Sequence, residues 1–265
     1  VSALDAVFAS CRDQGRAALV AYLPAGFPDA ASSREAMVAL VEAGADIVEV
    51  GVPYTDPLMD GPVIQDAADR ALAGGFRVRD LLGNVEAVAA AGGSAVVMSY
   101  WNPILRYGPD DFARDLAAAG GAGLITPDLI PDEAADWRAA AQAHGVAPIF
   151  LVAPSSTDAR LAMTTSACRG FVYAASTMGV TGTRASVGGG AADLVARTRA
   201  VTDLPISVGL GVSTREQAAE VASFADGVIV GSALVRALGE GTASGAGLDP
   251  LRTLTADLAE GVRQR

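Results

Sequence analysis

The sequence predicts an α/β protein folded as a (β/α)8, or TIM, barrel, with an extra N-terminal helix and an extra short helix after strand 2. Three observations lead there. Short β-branched runs alternate with alanine-rich helical stretches along the whole chain, and eight such runs can be read. Several helical stretches open on Ser, Asp or Pro and close on Gly, the residues that cap helices. The length of 265 residues would also hold two smaller domains, but no linker interrupts the alternation, so one barrel domain over residues 1–265 is expected.

In chain order, Ala3 to Arg16 has an amphipathic spacing that predicts a helix placed to plug the N-terminal mouth of the barrel. The first strand is expected over Ala18 to Leu23 and the second over Asp46 to Val50, with AASSREAMVALVEAG as the helix between them. An acidic stretch rich in Pro and Gly follows as a loop, and IQDAADRALAGG reads as the additional short helix. The pattern VRDLLGNVEAVAAAG then leads to a third strand, Ala95 to Tyr100. Further strands are expected over Gly123 to Thr126, Ala147 to Val152, Gly170 to Ala174, Pro205 to Val208 and Gly227 to Val230, with helical patterns such as PDDFARDLAAAG and STREQAAEVASF between them. The run from Gly239 to Pro250 reads as a surface loop before a last helix, Pro250 to Arg263.

Composition removes whole classes of function. A net charge of −11 argues against nucleic acid as a partner, because a phosphate backbone needs a basic face. No apolar run approaches a membrane span, and the first residues lack the pattern of an export signal, so a cytoplasmic protein is expected. Cys11 and Cys168 fit no metal or redox spacing and read as buried thiols. All 19 basic residues are arginine, so imine chemistry on a lysine is impossible. His144 is the only histidine, and no metal site is expected. Chemistry at carbon must then run on carboxylates, hydroxyls and backbone dipoles.

The strongest functional signal is the segment DIVEVGVPYTDPLMDGPVIQ, Asp46 to Gln65. Strand alternation puts Ile47, Glu49 and Gly51 on one face and Val48, Val50 and Val52 on the other. A helix would cover the valines, which leaves Glu49 facing the lumen, where loss of water raises a carboxyl pKa toward general acid–base range. The alternative is a glutamate paired with an arginine folded back from elsewhere, since none lies between Arg34 and Arg70. Asp56 and Asp60 follow in the loop.

After the seventh strand comes GLGVST, with Gly209 and Gly211, and after the eighth comes GSALVRAL, with Gly231 and Ser232. Such glycines let a phosphate oxygen approach main-chain N–H groups at a helix N-terminus; the same glycines would also serve tight βα turns. The stretch STMGVTGTRASVGGG, Ser176 to Gly190, suits a lid in which Thr181 supplies a hydroxyl and Gly182 an amide, although a loop without a duty would have similar composition. Tyr22, Tyr100 and Tyr173 fall at the ends of the first, third and sixth strands, with Leu23, Met98, Ile125, Val152 and Leu210 near strand ends too. Together they would line a site for a flat apolar group; singly, each tyrosine also fits core packing. The Tyr173 hydroxyl is expected to reach Glu49 or Asp60.

The stretches LVAYLPAGFPD, VEVGVPYTDPLMDGPVIQ, LITPDLIPDEA, STMGVTG, GLGV and VGSALVRAL together resemble the tryptophan synthase alpha chain family. The resemblance is collinear over nearly the whole sequence, and PYTDPLMDGP is highly specific to that family. It implies a (β/α)8 lyase of tryptophan biosynthesis that cleaves indole-3-glycerol phosphate to indole and glyceraldehyde 3-phosphate. It further implies an α2β2 heterotetramer in which the beta chain holds pyridoxal phosphate and receives indole through a tunnel, with no cofactor in this chain. By position it makes Glu49 the general acid/base, Asp60 the carboxylate that contacts the indole N–H, and Tyr173 the active-site tyrosine. It likewise puts Gly182, Gly211, Gly231 and Ser232 at the phosphate and makes Thr181 the lid residue that orders Asp60. The chain departs from the family pattern at Met59, where Ala is common, at Thr55, where Ser is, and at Thr177, where the lid often has a basic residue. The last bears on how tightly the lid latches. Three other readings share these residues: a lyase that needs no partner, a phosphosugar isomerase or cyclase, and a barrel that only regulates a partner. Intact Glu49 and Asp60 argue against the last.

Overall fold

Strand alternation sorts the apolar side chains of the barrel into an inner and an outer core. The computed structural model describes residues 2–175 and 189–264. Its strands are β1 (Ala18–Pro24), β2 (Ile47–Gly51), β3 (Ser94–Met98), β4 (Gly121–Ile125), β5 (Ala147–Ile149), β6 (Leu151–Val152), β7 (Val172–Ala175), β8 (Ile206–Gly209) and β9 (Gly227–Val230). All pairings are parallel, in the order β5-β4-β3-β2-β1-β9-β8-β7-β6. The segments β5 and β6 are two halves of one stave, the first paired to β4 and the second to β7, so the sheet closes into the expected eight-stave barrel. Val20, Ile47, Val96, Ile125 and Ile149 pack inside the lumen, whereas Val48, Val50 and Val52 join the core beneath the helices.

The helices are α1 (Ala3–Asp13), α2 (Ala30–Glu42), α3 (Pro62–Ala73), α4 (Leu81–Ala90), α5 (Trp101–Tyr107), α6 (Pro109–Ala118), α7 (Ala135–His144), α8 (Asp158–Ala167), α9 (Gly189–Arg199), α10 (Arg215–Ala222), α11 (Ser232–Ser244) and α12 (Asp249–Gly261). Among the described residues, no helix is long and apolar enough to cross a membrane. Helix α1 starts at a capping box: the Asp5 N–H donates to Ser2 Oγ and the Ser2 N–H to Asp5 Oδ2. Its buried Leu4, Phe8 and Cys11 close the floor of the lumen, with Phe8 and Phe171 rings 5.6 Å apart. This is the expected plug. Nearby, Arg16 makes a two-pronged pair with Asp46 at 2.7 Å on each arm, and Asp46 also accepts the Leu19 N–H, which ties β1 to the start of β2. The helix expected after the second strand is α3, which carries its Pro in the first turn, where a missing N–H costs nothing.

The structure corrects the sequence reading in three places. The fifth strand is not continuous over Ala147 to Val152: the Phe150 N–H leaves the ladder and donates to Cys168 Sγ at 3.4 Å, and the strand changes partner there. The third strand stops at Met98, so Tyr100 is not a strand end but the N-cap of α5, a helix over residues to which the sequence reading assigned no element. Finally, Gly239 to Ser244 continues α11, and only the short turn after Gly245 (φ 77°) and Gly247 (φ 62°) separates it from α12. Gly241 is needed there, because a side-chain carbon would overlap the Gly247 carbonyl.

Candidate active site

Glu49 sits on the lumen face of β2, register partner of Tyr22, and is 1% exposed. Its Oε2 has no hydrogen-bond partner among the described residues, so no arginine neutralises it there. Burial first, and the nearby Asp60 charge second, push its pKa up to about 8. A carboxyl in this state keeps its proton near neutral pH and can both give and take it.

The chain makes room for this acid with glycines. A side-chain carbon at Gly51, the next lumen position above Glu49, would overlap the Tyr22 phenol, and one at Gly231 would meet the same ring at 3.4 Å. One at Gly209 would stand 2.7 Å from the Tyr173 hydroxyl. Tyr22 and Tyr173 therefore lie across the lumen mouth over glycine positions. Both phenols are pushed up in pKa, by burial above all and then by the charges of Glu49 and Asp60.

Asp60 stands in the loop between β2 and α3, its carboxyl raised by burial and drawn back by one hydrogen bond. That bond comes from Tyr100, whose hydroxyl donates to Asp60 Oδ1 at 3.2 Å and accepts the Leu58 and Met59 N–H groups at 3.1 and 2.9 Å. Tyr173 donates no such bond to either carboxylate among the described residues, contrary to the sequence expectation. Tyr100 instead organises the acidic loop from behind and is not part of the cavity wall.

The two carboxyls open on a cavity of about 240 Å³ at the carboxyl ends of the strands. Met98, Leu151, Ile64, Leu58 and Met59 form its apolar side, and Gly209, Leu210, Gly211, Gly231 and Ser232 its other side. Gly211 has φ 74°, open to glycine, and Ser232 opens α11, whose first N–H groups lack acceptors within the helix. No basic side chain lines the cavity among the described residues, so an anion here meets main-chain dipoles and the Ser232 hydroxyl. Thr181, Gly182 and Thr177 lie outside the described residues.

Of the aliphatic residues read near strand ends, Met98 and Leu210 line the cavity, while Leu23 and Val152 turn outward into the helix-facing core and Ile125 lies in the lumen core without lining the cavity. Leu151 and Ile64 went unread. Leu151 was recoverable from alternation: it is the register partner of lumen-facing Tyr173, which turns Val152 outward.

A family model described as tryptophan synthase alpha chain matches residues 8–262. The tryptophan synthase alpha chain of Mycobacterium avium (strain 104) is 66% identical over 264 residues, covering 100% of this chain and 96% of that protein. That of Mycobacterium tuberculosis (strain ATCC 25177 / H37Ra) is 64% identical over 262 residues, covering 99% and 95%. A solved structure of M. tuberculosis tryptophan synthase superimposes with a TM-score of 0.94 at 63% identity and 99% coverage of both chains. The alpha subunit of Legionella pneumophila str. Paris does so at 0.88 and 33% identity, over 100% and 98% of the two chains. With a barrel, a lumen carboxyl and glycine-built strand ends of this kind, and with likeness extending over its full length, the chain belongs to the tryptophan synthase alpha chain family.

Proposed function

We propose that the chain cleaves indole-3-glycerol phosphate to indole and glyceraldehyde 3-phosphate, as the alpha subunit of a tryptophan synthase. The observation that carries this reading is the Glu49 carboxyl, buried, with Oε2 unpartnered among the described residues and a pKa near 8, in a cavity with an apolar side and a main-chain side. The indole ring takes the side of Met98 and Leu151, and the phosphate takes the glycines of β8 and β9 with Ser232.

Protonated Glu49 gives its proton to indole C3, which makes the ring an imine-like electron sink. The resulting carboxylate accepts the proton of the adjacent side-chain hydroxyl; that carbon becomes a carbonyl, and the carbon–carbon bonding pair returns to the ring. Glu49 ends in the state in which it began. Asp60 offsets the positive charge that develops on the indole nitrogen. Its loop hangs on the Tyr100 hydroxyl, and this hydrogen bond holds the carboxylate until substrate draws it in. Thr181 and Gly182 are assigned to the lid and the phosphate, and Tyr173 to the wall beside Glu49.

The partner is a beta chain within an α2β2 assembly, and pyridoxal phosphate belongs there: this chain has no lysine to hold that cofactor as an imine. Both cysteines are buried free thiols, in keeping with a cytoplasmic site of action. The test is indole release from indole-3-glycerol phosphate by the purified chain, alone and with a beta chain. Turnover that rises on adding the partner supports the subunit role; an unchanged rate points to a lyase acting alone; and no indole in either case defeats the reading.

A further inference from the structure

Among the described residues, the wall of the reaction cavity carries five oxygen-bearing side chains: Tyr22, Glu49, Asp60, Tyr173 and Ser232. Glu49 serves the ring carbon and the hydroxyl next to it, Asp60 the indole nitrogen and Ser232 the phosphate. The hydroxyl of Tyr22 has no such task. Its strand, β1, lies in the sheet between β2, which carries Glu49, and β9, which leads through Gly231 into Ser232. A three-carbon chain joined to the ring at Glu49 and to the phosphate at Gly231 and Ser232 must therefore pass β1. The phenol follows the same path. A side-chain carbon at Gly231 would meet Cδ1 of Tyr22 at 3.4 Å, whereas one at Gly51 would overlap its hydroxyl oxygen and Cε2. The ring thus leans from the phosphate end toward β2 and holds its hydroxyl over Gly51, one lumen position above Glu49. The sealed and unpartnered polar side-chain atoms of the described residues are Glu49 Oε2, Thr126 Oγ1, Trp137 Nε1 and Ser207 Oγ. The Tyr22 hydroxyl also lacks a partner among the described residues but is not sealed, so it opens on the cavity that its side chain lines. Burial and the charges of Asp60 and Glu49 keep it protonated, as a donor. Tyr173 stands on β7, over Gly209 of β8, outside the path from β2 to β9.

We infer that the Tyr22 hydroxyl recognises the middle hydroxyl of the substrate's three-carbon chain, the one that bond cleavage leaves untouched. This rests on the proposed reaction, with the scissile bond at Glu49 and the phosphate at Ser232. The hydroxyl beside the ring gives its proton to Glu49, so only the middle one lacks a partner. A substrate hydroxyl taken out of water without a partner costs affinity, and Tyr22 offers the open donor and acceptor on the stretch of wall that this carbon passes. Tyr22 is then a specificity-determining residue for a hydroxylated linker, a task beyond walling the flat ring. A phenylalanine in its place would fill the same space over Gly51 and Gly231 and lose only the recognition.

The experiment measures kcat/KM, with a beta chain present, for wild type and Tyr22→Phe on indole-3-glycerol phosphate and on its analogue lacking the middle hydroxyl. Wild type prefers the parent substrate by about tenfold, the scale of one buried hydrogen bond. Tyr22→Phe lowers kcat/KM for the parent by about the same factor and leaves the deoxy analogue unchanged, so the preference disappears, as a double-mutant cycle between two interacting groups requires. A second measurement guards against a misshapen cavity: the Kd of 3-(indol-3-yl)propyl phosphate, which carries neither hydroxyl, stays the same in both proteins. A preference for the parent that survives undiminished in Tyr22→Phe overturns the assignment. So does a loss of affinity for the propyl phosphate as large as the loss on the parent, because the phenol would then act through cavity shape alone. Failure of the wild-type protein to cleave the parent substrate would instead strike the proposed reaction on which the assignment rests.

Discussion

Glu49 concentrates the chemistry of this protein in one side chain, and its environment makes testable demands. Glu49→Gln keeps the shape and removes the titrating proton, so kcat should fall by about 100- to 10,000-fold with substrate binding retained, as single-turnover and equilibrium binding measurements would reveal. Substantial residual turnover would show that another group moves the proton. The raised pKa also has a consequence for stability. The native state holds the Glu49 proton up to about pH 8, whereas the unfolded chain releases it near 4.5. Between those values the native state binds more protons, so this group's contribution falls as pH rises, by up to about 1.4 kcal/mol per pH unit. Glu49→Gln escapes that loss. Its advantage over wild type in denaturant melts should grow from pH 5 to pH 8, and a constant difference would contradict the raised pKa. The carboxyl itself was legible in the sequence, because an acid among β-branched residues is costly to bury. The hydrogen bonding of Tyr100 was not: nothing local links residue 100 to the amides of Leu58 and Met59.

At the scale of elements, the acidic loop and α1 do opposite kinds of work. The loop from β2 to α3 exposes Leu58 and Met59, 76% and 42% accessible, and depends on the Tyr100 hydroxyl for anchorage. Tyr100→Phe leaves two N–H groups without their acceptor and frees Asp60. Amide exchange at residues 58 and 59 should quicken and kcat should fall several-fold, while the melting temperature moves little; unaltered exchange would mean the loop is held by other contacts. Helix α1 is a plug whose apolar face was readable from its spacing alone. Phe8 is 4% exposed against Phe171 and the lumen floor. Phe8→Ala should cost about 3–5 kcal/mol in denaturant unfolding with little change in KM, since the excised ring lies at the mouth remote from the catalytic cavity. Helix α11 was harder to read. Its glycines look like loop residues until the close approach of Gly241 to the Gly247 carbonyl supplies the reason for one of them.

For the whole molecule, charge and site chemistry pull against each other. The chain carries a net charge of −11, its substrate is an anion, and no basic side chain lines the described cavity. Added salt screens the overall repulsion and, among the described residues, has no arginine anchor to weaken, so KM for the isolated chain should fall modestly as ionic strength rises from low values. A KM that rises instead would indicate an arginine at the phosphate. The alternation of runs and caps determined by itself the eight staves, the plug, the extra helix after the second strand and the inward-facing Glu49, because each follows from periods of 2 and 3.6 within a dozen residues. Tertiary structure alone decided where the fifth stave breaks and which phenol holds Asp60. Each depends on groups brought together from distant parts of the chain, Cys168 to Phe150 and Tyr100 to Met59 among them, and local periodicity carries no record of such meetings.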